Sequence, residues 1–295
     1  MHTREPTLQA GCSGARAVVI ALGVLLLALV CATTTHAQPT DAPHSGKVSL
    51  DEFQKEATSF STSFGGALSS GNTQSMQATV GSAFGMIRDR HALDLSMDFA
   101  YGRARPKVSE PMVDTARNLR SRGRYALFLS TMDALFVAGM YRWDTFAGLD
   151  ARLQGQVGYM RNLYTADKLR LWGELGYDLT YENYDPDPLP DPANASRFIK
   201  GYKYLHSARL FLGYDNQINP MMVVLMGVEG LLNVEEPSDS RVNVDLALRS
   251  VVIDRLQLEF KAIVQIDTKP APRPAGQELY KYDGILKLNL IYTLI

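Results

Sequence analysis

Apolar and polar residues alternate with a period of two along most of the chain after about position 57. The clearest run sets Leu169, Leu171, Gly173, Leu175, Tyr177, Leu179 and Tyr181 against Arg170, Trp172, Glu174, Gly176, Asp178, Thr180 and Glu182. Successive side chains of a strand point to opposite faces, so this is a strand with a different solvent on each side. Stretches of the same kind, separated by turn signals, predict strands near 58–69, 74–87, 91–103, 117–129, 134–143, 149–161, 168–182, 201–214, 221–234, 241–253, 256–268 and 281–295. The set reads as a closed antiparallel up-and-down transmembrane β-barrel of about twelve strands, an even number as bacterial barrels require. The outward set includes Leu93, Leu95, Met97, Phe99 and Tyr101 in the third strand, and Leu149, Ala151, Leu153, Val157 and Tyr159 in the sixth. Ala134 to Met140 is apolar on both parities and fixes no register by itself.

The connections and the aromatic residues give the barrel a direction. Starting from a periplasmic N-terminus, the inner turns fall at 88–90, 130–133, 162–167, 215–220 and 254–255, whereas the long connections 104–116, 183–200 and 268–280 all fall on the other side. Tyr101, Tyr141, Trp143, Tyr181, Tyr202, Tyr204 and Tyr282 stand at outer strand ends on the lipid-facing parity, and Tyr159, Tyr214 and Tyr292 at inner ends. Amphipathic rings collect at membrane interfaces, so these are two girdles. A soluble all-β domain with the alternation turned inside out accounts for neither girdles nor loop asymmetry.

The segment before the strands changes the location. Arg4 and Arg16, an apolar run from Ala17 to Ala32 and Thr35-His36-Ala37 resemble the three regions of a signal peptide, with cleavage expected after Ala37. Residues 38–57 then form a short periplasmic segment, with a helix suggested from Val48 to Ala57, and 58–295 the outer-membrane barrel. Cys12 and Cys31 both precede position 37, so thiol chemistry and cysteine metal sites are excluded from the exported chain. A formal charge of −1 without basic runs excludes a nucleic-acid surface. The partners expected are outer-membrane lipid and the barrel-assembly machinery; the sequence gives no oligomeric state, no metal site and no cofactor.

Ser70-Gly71-Asn72-Thr73, the run Tyr141-Arg142-Trp143-Asp144-Thr145-Phe146-Ala147-Gly148-Leu149-Asp150-Ala151-Arg152, and Gly155 with Gly158-Tyr159 resemble a bacterial family of salt-induced outer-membrane proteins, a barrel domain of unknown function. Locally, Gly71-Asn72 reads as a tight turn, and Gly155 and Gly158 as relief from crowding in a closing sheet. Such barrels usually end in an aromatic residue, whereas this chain ends Tyr292-Thr293-Leu294-Ile295, with Tyr292 and Leu294 on the outward parity.

The inward parity carries the candidate chemistry. Arg120, Arg122, Arg124, Arg152, Arg170, Arg209 and Arg249 face Glu174, Asp178 and Glu229, with Arg241, Lys261, Asp94, Asp98, Asp150, Glu182, Asp245 and Glu259 on the same side. The signs nearly balance, which favours pairing across the lumen over a single-sign ring, since buried charge must be paired or wet. Two roles follow: an envelope barrel with a charge-paired lumen, or a narrow diffusion pore in which the arginines favour anions. Catalysis is not expected. His91 and His206 are the histidines of the barrel, and the adjacent Ser207 points away from His206. Asp185 to Pro192 reads as a stiff surface loop, not a cation cage.

Overall fold

In a computed structural model, the structure describes residues 57–69, 74–105, 111–145, 149–184, 189–191, 194–269 and 281–294. The expected signal peptide, the helix at Val48 to Ala57 before its last residue, the Gly71-Asn72 turn and the acidic stretch 185–188 lie outside them. The strands are β1 (Ala57–Ser69), β2 (Gln74–Arg88), β3 (His91–Arg105), β4 (Val113–Phe128), β5 (Asp133–Asp144), β6 (Leu149–Ala166), β7 (Leu169–Tyr184), β8 (Leu189–Asp191), β9 (Asn194–Ile199), β10 (Tyr202–Asn219), β11 (Met222–Asn233), β12 (Arg241–Ile253), β13 (Leu256–Asp267) and β14 (Tyr282–Thr293). Twelve close into one antiparallel barrel in chain order, β14 pairing back onto β1. β8 and β9 form a separate two-stranded ribbon where a stiff loop was expected, so the 183–200 connection is partly sheet.

The side chains sort by parity. Leu95, Phe99, Val137, Leu153, Val157, Leu175, Leu210, Leu212, Val228 and Leu288 stand exposed outside, Leu175 at 63%. Arg122, Arg152, Glu174, Asp178, Arg209 and Glu229 are buried inside. No helix among the described residues is long and apolar enough to cross a membrane; the crossing is made by strands of 12 residues or more. At about 3.3 Å per residue and the usual tilt, such strands span the apolar core of a bilayer. A continuous exposed apolar wall of this size is the surface lipid solvates.

The register of β5 is settled by its neighbours. Leu135, Val137, Gly139, Tyr141 and Trp143 face out, and Ala134, Phe136, Ala138 and Met140 face in. Apolar residues occupy both parities there because the short-turn end of the lumen is itself apolar, filled by Ile87, Phe128, Phe136, Met160, Trp172 and Phe211. In β6 the outward assignment of Leu149 is corrected. A bulge between Leu149 and Ala151 turns Leu149 inward against Tyr184, where it is 3% exposed, and leaves Asp150 exposed instead of in the lumen.

Glycines admit the large interior rings. A Cβ at Gly158 would meet the Leu175 carbonyl oxygen at 2.5 Å and the Phe136 ring at 2.8 Å, and one at Gly213 would meet the Trp172 ring at 2.2 Å. Gly155 has no such neighbour within 4 Å, so only the second of the two expected relief positions acts as one. The turns at the short-turn end are tighter than the pattern suggested, because β6 and β10 run on to Ala166 and Asn219. Asp89, with φ of 50°, takes the left-handed position of one of them, which a short polar side chain tolerates.

At the other end two connections are tied together. The Ser240 N–H donates to Thr268 Oγ1 at 2.7 Å, Thr268 Oγ1 donates to the Ser238 carbonyl at 2.6 Å, and Lys269 pairs with Glu236. The Lys269 hydrogen bond holds the exposed Glu236 carboxyl below its usual value of 4.5. A depressed carboxylate keeps its contact above the ordinary range and loses it as pH falls through the depressed value. An NMR titration of Glu236 is expected to show a midpoint below 4.5 that returns toward it in Lys269→Met. Gly213→Val is expected to lower stability by about 1–3 kcal/mol in urea unfolding, by displacing Trp172 from its seat.

Candidate functional site

The lumen is built as two charged nodes above the apolar end. The first centres on Glu174 of β7. It accepts from Arg124 Nη2 at 2.8 Å and from Arg209 Nη1 at 2.8 Å; Arg209 Nε also donates to Glu229 Oε1 at 2.6 Å, and Asn243 Nδ2 to Glu229 Oε2 at 3.0 Å. The chain of contacts runs from β4 to β12, and the Arg209 side chain is fully enclosed. Its apolar boundary also contributes. The Arg124 guanidinium lies 4.2 Å from the Phe136 ring centre and Arg209 lies 5.5 Å from it, cation–π contacts that strengthen where water is excluded.

The second node centres on Glu182, nearer the long-loop end. Arg152 Nη2 reaches its Oε1 at 2.7 Å and Arg241 Nη2 at 2.5 Å, while Lys203 Nζ lies 3.5 Å from Oε2, to which the Tyr184 hydroxyl donates. Arg241 continues to Asp267 at 2.9 Å and Lys203 to Asp239 at 3.2 Å. Three cations around one carboxylate of zero exposure would repel one another, and Asp267 and Asp239 balance the excess. Between the nodes Asp178 is held by neutral donors, Gln154 at 2.6 Å, Gln156 at 2.8 Å and Thr180 at 2.7 Å.

All ten inward candidates from the sequence lie inside the barrel, but they separate. Arg124, Glu174, Arg209 and Glu229 share the first node, and Arg152 belongs to the second. Arg170 pairs with Asp215 at 3.0 Å and stacks 4.0 Å above Trp172 at the short-turn end. Arg249 pairs with Glu259 at 2.6 Å on β13. Arg120 and Arg122 stand on β4 opposite Asp98 and Ser96 of β3. Alternation flagged the faces but missed Lys203, Asp215, Asp239 and Asp267 as partners: Asp215 falls in the expected turn 215–220 although β10 runs on to Asn219, Asp239 lies in a connection, and Lys203 and Asp267 stand at strand ends.

The lumen is also lopsided. β1 and β2 turn Ser59, Ser61, Ser63 and Gly65, and Thr79, Gly81, Ala83 and Gly85, toward the interior. Against this wall of small side chains lies a cavity of about 270 Å³ bordered by Ser59, Asp94, Arg122, Arg124, Trp172 and Arg249. A further 100 Å³ lies beside Ser63, Asp98, Arg120, Lys261 and Lys287. Ser61, Ala83, Ser96, Arg249 and Ile291 border both.

Outside, Tyr181 packs against Tyr204 with ring centres 4.9 Å apart and against Tyr202 at 6.4 Å. Tyr101, Tyr141, Trp143 and Tyr282 stand toward the same long-loop end, with Tyr159, Tyr214 and Tyr292 toward the other. His91 and His206 share hydrogen bonds with the hydroxyls of Tyr125 and Tyr177, on the outer wall and remote from the lumen carboxylates.

No curated protein matches the chain. Among solved structures, an outer-membrane channel from Pseudomonas putida F1 is similar at 10% identity over 89% of this chain and 98% of its own, with a TM-score of 0.46. The NanC porin matches at 10% identity over 79% of this chain and 97% of its own, with a TM-score of 0.43. The translocator domain of the autotransporter NalP from Neisseria meningitidis matches at 10% identity over 95% of this chain and 96% of its own, with a TM-score of 0.42. Residues 62–294, which span the barrel from β1 to the end of β14, match the family described as "Protein of unknown function, DUF481", and the chain belongs to that family.

Proposed function

We propose that this protein is an outer-membrane barrel whose role is in the envelope itself, with a lumen closed by paired charge and not held open as a diffusion pore. The observation that carries this reading is the Glu174–Arg209–Glu229 chain with Arg209 fully enclosed. A wide aqueous pore leaves its wall charges wet. Here Glu174, Glu229 and Glu182 have at most 1% exposure, and their strength comes from short charge-assisted contacts in a water-poor lumen. Export through residues 1–37, insertion by the assembly machinery using the Tyr292 and Leu294 face, and the long connections as the cell-exterior side complete the proposal. The likeness to salt-induced outer-membrane proteins supports a role under osmotic or ionic stress. The outward placement of both histidines supports a non-catalytic role. A second reading, restricted uptake of small anions, is supported by the cavity along β1 and β2, where Arg120, Arg122, Arg124, Arg249, Lys261 and Lys287 outnumber the nearby acids.

Planar-bilayer recording of the refolded barrel separates the two. The closed-lumen reading expects no steady conductance from wild type, and an anion-selective leak from Glu174→Gln or Glu182→Gln, which leave cations without their shared carboxylate. A steady wild-type conductance abolished by Arg120→Ala/Arg122→Ala/Arg124→Ala would overturn it in favour of the pore. Glu182→Gln is also expected to cost about 3–5 kcal/mol of stability, because it breaks a buried ion cluster from one side. The heat-modifiable gel shift of the folded barrel should then occur at a lower temperature than in wild type.

A further inference from the structure

The seam that closes the barrel is the shortest in the wall. β1 and β14 pair through five residues, from Ser61 opposite Thr293 to Gly65 opposite Asn289. Every other adjacent pair in the barrel is joined through ten to sixteen. Beyond Gly65, among the described residues, Gly66 to Ser69 pair with β2 and Asp283 to Leu288 with β13, and no β1–β14 pair joins them. Unpaired backbone groups facing hydrocarbon cost several kcal/mol each, so a strand edge left open at membrane depth calls for a polar neighbour.

That neighbour is the smaller lumen cavity, which lies along the paired stretch of the seam and reaches one residue past it. It is bordered by Ser63, by Asn289 of the last pair, and by Lys287, the first inward residue of β14 past it. Lys287 makes no ion pair among the described residues, in contrast to the cations of the two nodes, and the paired Lys261 lines the same cavity beside it. Directly outside the same stretch stand Phe64, Leu286, Leu288 and Leu290, all exposed. The cavity, where Arg120, Arg249, Lys261 and Lys287 outnumber Asp98 and Glu259, is thus separated from the apolar wall by one short seam, bordered by Gly65 and Gly66.

We propose that the β1–β14 seam is a lateral portal between lumen and bilayer, and that its ligand is an amphiphile with an anionic head group and a single acyl tail. The head group lies against Lys287 and the neighbouring Lys261 and Arg120, and the tail passes between Gly66 and Leu288 to the apolar exterior. A purely polar solute gains nothing from an opening into lipid, and a purely apolar one gains nothing from the cations. The inference rests on the membrane placement proposed above, but not on whether the lumen conducts.

The test uses the full-length refolded barrel with Cys12→Ser and Cys31→Ser, in neutral detergent, and dodecyl phosphate as probe, with binding followed by native mass spectrometry. Wild type is expected to take up one dodecyl phosphate. Lys287→Met should weaken binding by about tenfold or more, as loss of a charge-assisted contact does, while Lys287→Arg retains it. Oxidised Thr62→Cys/Tyr292→Cys, which clamps two partnered residues of the seam, should slow association by about tenfold, with recovery on reduction. Hydrogen exchange in lipid nanodiscs should be faster at Tyr282–Leu288 than in β7. Equal binding by wild type and a Lys287→Met barrel that runs as folded on the heat-modifiability gel would overturn the proposal. So would inorganic phosphate binding as tightly as dodecyl phosphate, which would make the cavity a site for free anions. A conductance in wild type would remove the closed-lumen reading and leave this one standing.

Discussion

Charge that is buried among side chains must find a partner of opposite sign, and the rest of this structure depends on that requirement. Strand alternation delivers basic and acidic side chains to the interior in near-equal number. Once the sheet closes, each is several ångströms from charges on strands far away in sequence. Arg209 joins Glu174 and Glu229, residues 35 and 20 positions distant. Such contacts do little for stability beyond offsetting the cost of desolvation. Their consequence is specificity: they fix how far each side chain reaches across the lumen and leave little room for water between the nodes.

Apolar packing takes over at the short-turn end. Phe136, Trp172 and Phe211 fill the space there, seated over Gly158 and Gly213, and Arg124, Arg170 and Arg209 lie on the ring faces. The interior is therefore graded, apolar at one end and ionic through the middle and toward the long loops. Bulk is also uneven around the wall. The strands from β4 to β14 supply most of the large inward side chains, whereas β1 and β2 supply serine, threonine, alanine and glycine along most of their length. The remaining space falls beside the strands that close the barrel, where the ladder between first and last strand is shortest.

Alternation determined the class of this protein without help from the structure. A period of two with opposite polarity on its faces, asymmetric loop lengths and tyrosines at strand ends are properties of neighbouring residues, and all twelve barrel strands were readable from them. Alternation also placed Arg120 to Arg249 on the inward face, because inward and outward are decided locally once a strand exists. It could not decide Leu149, where a bulge broke the count, or Ala134 to Met140, where both faces are apolar for different reasons. Which arginine meets which carboxylate, where the lumen is empty and how short the closing seam is were decided only by the tertiary structure. Pairing across a barrel depends on strand order, stagger and side-chain reach over residues distant in sequence, and a local pattern carries none of these.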